Sequence, residues 1–265
     1  NVTMKKIDYH MHTFFSPDSK GQPEEYIKEA INLGLDEICF TDHNDYIAGG
    51  KWILDVESYF KYLLPLKEKY QDQIAIKIGI EVGLDMLSYD VTKTLVASYP
   101  FDFVIGSIHT INLIDIAHNE YYEHKTKDEV HALYFKTMLE CVKQCDYFDV
   151  LGHLDYVRRY GPFVDKSIDY AKYQELIDEI YKLLIAKGKG IEINLSGYRV
   201  FDESLPNYDQ VKRYYDLGGR IITIGTDSHD SSRVGENVES VMKILSEIGF
   251  EDVTTFTKQQ PDICI

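Results

Sequence analysis

The sequence predicts an α/β fold whose parallel sheet closes into a barrel. Seven short apolar, β-branched segments alternate with seven longer amphipathic segments, without a break in composition. Polar residues of the metal-binding type follow nearly every predicted strand. A barrel assembles its active site from the carboxyl ends of many strands, whereas an open sheet concentrates it at one switch point. The even spread of these residues favours the barrel, and we expect residues 1–265 to form a single domain.

The strands and helices follow from hydrophobic periodicity and from helix start and stop residues. Residues 127–145 illustrate a helix, because Val130, Tyr134, Met138 and Cys141 recur at intervals of three and four and form one buried face. The predicted strands are residues 6–10, 37–41, 75–80, 103–107, 148–152, 190–195 and 220–225. The predicted helices are residues 23–33, 56–70, 90–99, 127–145, 168–186, 207–217 and 237–248.

Composition argues against several classes of partner. Asp and Glu number 44 and Lys and Arg 28, for a net charge of −16, and no basic run stands out. Proteins that grip a nucleic-acid backbone usually present a basic face, so we expect no nucleic-acid partner. No apolar run approaches the roughly 18 residues of a membrane span. The four cysteines are expected to be reduced, as in a cytoplasmic protein. The sequence does not indicate an oligomeric state.

Histidines and carboxylates cluster where the predicted strands end. Residues two apart in extended chain face the same way, so His10 and His12 can face one ion together, as can Asp227 and His229. Imidazole and carboxylate are the usual ligands of Zn, Mn and Fe(II). Six histidines on five strands, with Glu81 and Asp227, exceed the needs of one ion, so we expect a cluster of two or three metals that Glu81 could bridge. The histidines are His10, His12, His43, His109, His153 and His229.

Five segments in this order and spacing resemble the signatures of a known family. They are residues 10–19 (HMHTFFSPDS), 106–109, 152–155, 192–199 and 225–229. The chain resembles the PHP (polymerase and histidinol phosphatase) superfamily, and within it the monofunctional histidinol-phosphatase branch. The resemblance extends over essentially the whole chain. It implies a distorted (β/α)7 barrel with three divalent metal ions, Zn, Mn or Fe.

The same resemblance implies a ligand set for each ion. The first ion is assigned to His10, His12, Glu81 and Asp227, the second to Glu81, His109 and His153, and the third to His43, His229 and Asp18. Some relatives have a histidine where this chain has Asp18. An Asp ligand suits a harder ion such as Mn, Mg or Fe(II).

The expected chemistry is hydrolysis of a phosphate ester. A bound metal lowers the pKa of water and supplies hydroxide as the nucleophile. The sequence contains neither a GxSxG motif nor a P-loop, which agrees with water as the attacking group. The resemblance implies L-histidinol phosphate as the substrate and L-histidinol and phosphate as the products, a step of histidine biosynthesis.

Further side chains are candidates for substrate binding and catalysis. Arg suits phosphate because its planar fork matches the oxygens, although surface ion pairs are the alternative reading. Asp18, Arg159 and His229 are predicted to be catalytic, and the proton for the leaving alcohol could come from a metal-bound water, from Asp18 or from a loop histidine. Asp8 and Asp155 are expected to orient imidazoles. The predicted substrate- or phosphate-binding residues are Arg158, Arg159, Arg199, Tyr198, His118 and Arg233, with Arg159 and Arg199 favoured.

Three alternatives remain from the sequence. The chain could act on a nucleotide or another small phosphate ester. It could be a nuclease of the polymerase-associated type, which the net charge and the lack of a polymerase segment disfavour. It could also be a metal-binding barrel without catalysis, although such a protein is expected to have lost ligands.

Overall fold

Seven parallel strands form a nearly closed barrel with helices packed around it, which confirms the predicted fold. The computed structural model describes residues 4–47 and 49–263. The strands, in chain order, are β1 (Ile7–Asp8), β2 (Glu37–Asn44), β3 (Ala75–Gly83), β4 (Phe103–Ser107), β5 (Thr110–Ile111), β6 (Ile114–Asp115), β7 (Val150–Leu151), β8 (Gly190–Asn194), β9 (Ile222–Gly225), β10 (Thr255–Thr257) and β11 (Gln260–Asp262). The helices are α1 (Pro23–Asn32), α2 (Val56–Lys69), α3 (Tyr89–Ser98), α4 (Lys127–Gln144), α5 (Tyr170–Ala186), α6 (Tyr208–Asp216) and α7 (Val238–Ile248).

The barrel sheet has the order β1-β2-β3-β4-β7-β8-β9, and every neighbouring pair is parallel. Its two ends meet, because the amide of Tyr9 donates to the carbonyl of Ile224 at 2.8 Å and Met11 forms a parallel bridge with Ser228. The first and last strands therefore lie side by side. Closure brings the residues after β1 next to those after β9.

Strand register sets the height of the candidate ligands in the barrel. His43 on β2 is the ladder partner of Glu81 on β3, so the two side chains start from the same level. Strands β2 and β3 are longer than predicted and run through these two residues, whereas β1 and β7 keep only two residues each. The carboxyl end of the barrel thus presents its polar residues in one layer.

Aromatic packing fills the opposite end of the barrel. Tyr9, Phe103 and Phe256 are buried, and the Phe103 ring centroid lies 5.0 Å from each of the other two. Phe256 belongs to the hairpin β10–β11, which was not predicted. Asp102 accepts a hydrogen bond from the Lys258 amide at 3.1 Å and so holds this hairpin against the barrel. The amino end of the barrel is therefore closed, and the cavity lies at the carboxyl end.

Among the residues that the structure describes, no helix has the length and apolar character needed to cross a membrane. Cys39, Cys141 and Cys145 are buried free thiols. Cys264, which was also expected to be reduced, lies outside the described residues.

Asp149 is a buried carboxylate at the amino end of β7. It accepts a hydrogen bond from the Val104 amide at 2.8 Å and joins β4 to β7. Burial raises the pKa of its carboxyl to about 7. In the unfolded chain the pKa of an Asp is about 3.9.

The raised pKa of Asp149 predicts a pH dependence of stability. Between about pH 4 and 7 the folded chain holds a proton that the unfolded chain releases, so the free energy of unfolding falls as pH rises, with a slope of up to about 1.4 kcal/mol per pH unit. Asp149→Asn keeps an oxygen for Val104 but has no proton to lose. We expect urea denaturation to show a flatter pH dependence for this variant than for the wild type.

The exposed Asp72 provides the control. Asp72→Asn should follow the wild-type pH dependence. Parallel curves for the wild type and Asp149→Asn would contradict the expectation.

Candidate metal centre

The nine predicted ligands converge at the carboxyl end of the barrel. His10 and His12 follow β1, His43 and Glu81 lie on β2 and β3, and the remaining strand-end residues approach from the other side. Asp18 reaches the same place from the loop after His12. Several of these side chains are completely withdrawn from solvent, and Asp18 and His229 form the most exposed part of the group.

Glu81 lies at the centre of this group. Its carboxylate is buried and also accepts a hydrogen bond from Ser107 Oγ at 2.8 Å. Five imidazole nitrogens lie 3.2–3.4 Å from its two oxygens: His10 Nε2, His12 Nε2 and His43 Nδ1 beside Oε1, and His109 Nε2 and His153 Nε2 beside Oε2. The two oxygens thus face two different sets of histidines, which is the geometry of a bridging carboxylate.

Asp227 supplies a second buried carboxylate. Its Oδ1 lies 3.0 Å from His12 Nε2 and 3.4 Å from His10 Nε2. The backbone of Asp227 adopts a left-handed conformation with φ 56°, which is uncommon for a residue with a Cβ. The Asp227 amide donates to the His10 carbonyl at 2.8 Å, and this bond helps to hold the turn that aims the carboxylate at the two histidines.

Asp18 faces the two histidines that were assigned to a third ion. Its Oδ2 lies 3.0 Å from His229 Nε2 and 3.3 Å from His43 Nε2. The loop that carries Asp18 is anchored by Asp42, which accepts from the amide of Thr13 and from Ser16 Oγ, both at 2.7 Å. Asp18 therefore places an oxygen donor beside both histidines.

Outer hydrogen bonds fix which ring nitrogen of several histidines faces the centre. His109 Nδ1 donates to Asp45 Oδ1 at 2.9 Å, and His10 Nδ1 donates to Glu192. His229 Nδ1 donates to the carbonyl of Asp227 at 2.9 Å. A proton held on Nδ1 leaves the lone pair of Nε2 directed at the cluster, as in metal-ligating histidines.

The outer carboxylates, Asp45 and Glu192, bond to the ring nitrogens that face away from the cluster, and neither was predicted from the sequence. Asp45 follows His43 by two residues, so strand periodicity could have indicated it. A Cβ at Gly83 would lie 2.1 Å from Asp45 Oδ1, so glycine is needed at that position. Glu192 is on β8, whose end carries no histidine, and it gave no comparable signal.

The expectation that Asp8 and Asp155 orient imidazoles was wrong. Asp8 accepts from the amides of Thr226 and Gly235 at 3.0 and 3.1 Å and so joins β1 to the segment after β9. Asp155 accepts from the Tyr170 hydroxyl. Both carboxylates connect backbone segments around the site.

The donor set fits bound cations. Glu81 Oε1 and Asp227 Oδ1 are buried and have no hydrogen-bond donor of suitable geometry among the described residues. His10 Nε2 and His12 Nε2 face each other at 3.0 Å, so a proton or a cation is needed between them. Three triads have ligand atoms that lie within 4.8 Å of one another: His10, His12 and Asp227; His43, Glu81 and His109; and His12, His43 and His229.

The pKa shifts within this group also indicate that it can bind cations. Burial alone lowers the pKa of His12, but its contacts with Asp227 and Glu81 outweigh burial and raise the pKa to about 10. Burial raises the pKa of Glu81, but the surrounding histidines, His10 foremost, hold it well below its usual range. Burial also lowers the pKa of His10 and His109, but the neighbouring carboxylates raise it well above its usual range, so without a cation these carboxylates retain protons on His10, His12 and His109. Metal ions would displace those protons, so their affinity is expected to fall as pH falls.

A cavity opens beside the cluster. Besides ligand candidates, the described residues that line it include Trp52, Asp115, Tyr156, Arg159 and Tyr160. The Tyr156 ring stacks on His153 with centroids 4.6 Å apart. Of the predicted phosphate-binding arginines, Arg159 lines this cavity. Its Nη2 bonds to Ser196 Oγ, and its Nε has no partner among the described residues.

The other five predicted substrate-binding residues are not among the described residues that line the cavity. Arg158 pairs with Glu203 and stacks on Phe201, and Arg233 forms two hydrogen bonds to Glu236. Arg199 Nη2 donates to the Thr226 carbonyl at 3.0 Å, next to Asp227. His118 and Tyr198 are not among the lining residues, and the His118 side chain is 74% exposed.

Comparison with known proteins identifies the family. The model of the PHP domain family matches residues 8–196. This chain belongs to the PHP domain family. It is 39% identical to the histidinol-phosphatase of Lactococcus lactis over 98% of this chain and 97% of that one. It is 37% identical to a protein of Clostridium acetobutylicum named "Probable histidinol-phosphatase", over 93% and 95% of the two chains.

A solved structure agrees with this assignment. The crystal structure of the histidinol phosphate phosphatase from Lactococcus lactis, in complex with Zn, L-histidinol and phosphate, matches with a TM-score of 0.91 and 38% identity. The match covers 98% of this chain and 100% of that one. The resemblance drawn from the sequence motifs is thereby confirmed.

The central position of Glu81 predicts that it is needed for metal binding. Glu81→Gln keeps the shape of the side chain but removes the charge shared by the facing histidines. We expect zinc affinity to fall by at least about 100-fold, since loss of an outer hydrogen-bond partner alone costs roughly 10- to 100-fold. Competition with a chromogenic chelator and elemental analysis would measure the change.

Asp149→Asn is the matched control, because it neutralises a buried carboxylate at the opposite end of the barrel. It should bind zinc like the wild type. Full zinc content in Glu81→Gln would show that the carboxylate does not hold the metal.

Proposed function

We propose that this chain hydrolyses L-histidinol phosphate to L-histidinol and inorganic phosphate, a step of histidine biosynthesis. The observation that carries the proposal is the group of histidines around the buried Glu81, beside a cavity that Arg159 lines. The relationship to the Lactococcus lactis enzyme supports the choice of substrate. The cavity volume of about 210 Å³ is below the roughly 300–1,000 Å³ of pockets for drug-sized ligands, which favours a small ester over a nucleic-acid strand.

The proposal includes three divalent ions, Zn, Mn or Fe. His10, His12, Glu81 and Asp227 would hold the first, Glu81, His109 and His153 the second, and His43, His229 and Asp18 the third. When bound, such ions lower the pKa of water and stabilise negative charge on phosphate oxygens. The overlapping triads and the two-sided contacts of Glu81 support a centre with more than one ion, and the count of three follows from the resemblance to the family.

The side chains of this protein would position the ester. Arg159, at the cavity wall, would bind phosphate oxygens through its planar fork. Arg199 is the second candidate, because it lies beside Asp227. Tyr156, stacked on His153, would help to limit the access of water to that side of the site.

Asp18 and His229 would serve as ligands rather than as proton donors. His229 Nε2 contacts Asp18, and its Nδ1 is bonded to a backbone carbonyl, so neither nitrogen is free for the substrate. The leaving alcohol oxygen would then take its proton from solvent water at the open side of the cavity.

Purified protein with Zn, Mn or Fe should release phosphate from L-histidinol phosphate with a kcat/KM well above that for a nucleotide panel or an aryl phosphate. Elemental analysis of the loaded protein should approach three ions per chain. Turnover of nucleotides alone would contradict the proposed substrate. A metal-loaded protein inactive on every ester would favour a binding module.

Adjacent arginines provide a matched test of phosphate binding. Arg159→Lys keeps the charge but loses the fork, so we expect kcat/KM to fall by about 10- to 100-fold. Arg158→Lys should change it by less than about threefold, because Arg158 pairs with Glu203 away from the cavity wall. Steady-state kinetics on both variants measure the difference, and equal losses would argue against Arg159 as the phosphate ligand.

A further inference from the structure

Asp115 is an acidic residue of the cavity that the candidate metal centre does not use. Four other carboxylates line the cavity, and each lies within 3.4 Å of a ring nitrogen of a candidate ligand: Asp18, Asp45, Glu81 and Asp227. Among the described lining residues, Asp115 is the carboxylate without such a contact. It therefore adds a negative charge to the cavity outside the metal cluster.

The polar contacts of Asp115 leave one carboxylate oxygen available. Oδ1 accepts from the amide of Ala117 at 2.8 Å. Oδ2 lies 3.4 Å from His118 Nε2, and the His118 side chain is 74% exposed whereas that of Asp115 is 17% exposed. A solvent-exposed imidazole at this distance binds weakly, so a cation entering the cavity can compete for Oδ2.

The backbone holds Asp115 in a defined place beside the metal centre. It ends the hairpin β5–β6, where it is the ladder partner of Thr110, the residue after His109. The amide of Ile116 donates to the His109 carbonyl at 3.2 Å. Asp85, which is buried, accepts from Thr110 Oγ1 and from the amide of Leu113, both at 2.7 Å.

The proposed substrate carries a matching charge. L-histidinol phosphate has a primary amine, protonated at neutral pH, on the carbon next to the one that bears the phosphate ester. With the phosphate at the ions and Arg159, the ammonium group, only three bonds from the ester oxygen, would lie within the cavity that Asp115 also lines. A cation that leaves water there needs an anion as its partner.

We propose that Asp115 binds the ammonium group of the substrate, so that the enzyme selects phosphate esters of amino alcohols over esters that lack the amine. This inference rests on the proposed function. Tyr156, which also lines the cavity, presents an aromatic ring that can add a cation–π contact. Asp115 thus determines specificity, and the ions and Arg159 bind the part common to all phosphate esters.

The test compares two substrates that differ by the amine alone. The first is L-histidinol phosphate and the second is 3-(imidazol-4-yl)propyl phosphate. Wild-type enzyme should show a kcat/KM about 10- to 100-fold higher for the amine ester, the size expected for a charge-assisted hydrogen bond. Asp115→Asn should lose most of this preference through a higher KM for the amine ester, with the other substrate changed by less than about twofold.

Two further variants complete the design. Asp115→Glu retains the charge and should retain most of the preference, whereas Glu123→Gln, an exposed change in the same segment, should behave like the wild type. Zinc content should be equal in all of them. Equal losses for both substrates in Asp115→Asn, or no preference in the wild type, would overturn the inference.

The design also separates this inference from the proposed function. If the wild type hydrolyses neither imidazole ester but cleaves nucleotides, the proposed function fails and the inference fails with it. If the wild type hydrolyses both esters equally well, the proposed reaction stands and the role of Asp115 is excluded. Should Asp115→Asn not fold, Asp115→Ser takes its place with the same expected loss of preference, and equal rates of the wild type on both esters would still exclude the role of Asp115.

Discussion

The buried negative charge of Glu81 is the constraint on which the rest of the site depends. A carboxylate withdrawn from water costs several kcal/mol unless positive charge and hydrogen bonds compensate it. Here five ring nitrogens lie within 3.4 Å of the carboxylate. Each imidazole is neutral unless both of its ring nitrogens carry a proton. The barrel end is therefore built around positive charge, which is supplied by protons in the metal-free protein and by cations when they are present.

This requirement explains several features of the backbone. Asp227 adopts a left-handed conformation because its carboxylate must turn back toward His10 and His12. Gly225 is needed beside it, since a Cβ there would lie 2.3 Å from His10 Cβ. Closure of β9 onto β1 brings both residues next to the first histidines. Local strain at Asp227 is tolerated because the closed barrel determines the path of the chain on both sides.

The sequence predicted the barrel and the convergence of the candidate ligands because both depend on local pattern. Helix α4 (Lys127–Gln144) ends one residue from its predicted boundary, since its apolar period is regular and Thr126 caps its start. His10 and His12 were recognisable because residues two apart in extended chain face the same way. Parallel strands that all end on one side then bring such pairs together without any knowledge of packing.

The partners of the outer carboxylates could not be predicted in the same way. Asp8 and Asp155 lie as close in sequence to a histidine as Asp45 does, yet Asp45 alone of the three bonds to an imidazole. The choice depends on which backbone amide or hydroxyl approaches from another strand. Likewise, Arg158 and Arg159 are neighbours in sequence, but Glu203 on a distant loop pairs with one of them. These pairings depend on tertiary contacts, which the hydrophobic periodicity of the sequence does not reveal.

Charge distribution links the site to its selectivity. The chain carries a net charge of −16, and arginines such as Arg158 and Arg233 are paired with glutamates. The cavity thus relies on few cationic groups of its own, and bound ions would provide most of the attraction for phosphate. Such attraction acts on any phosphate ester, so it cannot by itself distinguish one substrate from another. Discrimination must come from a group that is unfavourable to the wrong ester, and an acidic residue outside the metal cluster has that property. It attracts an ammonium group and repels the additional phosphates of a nucleotide.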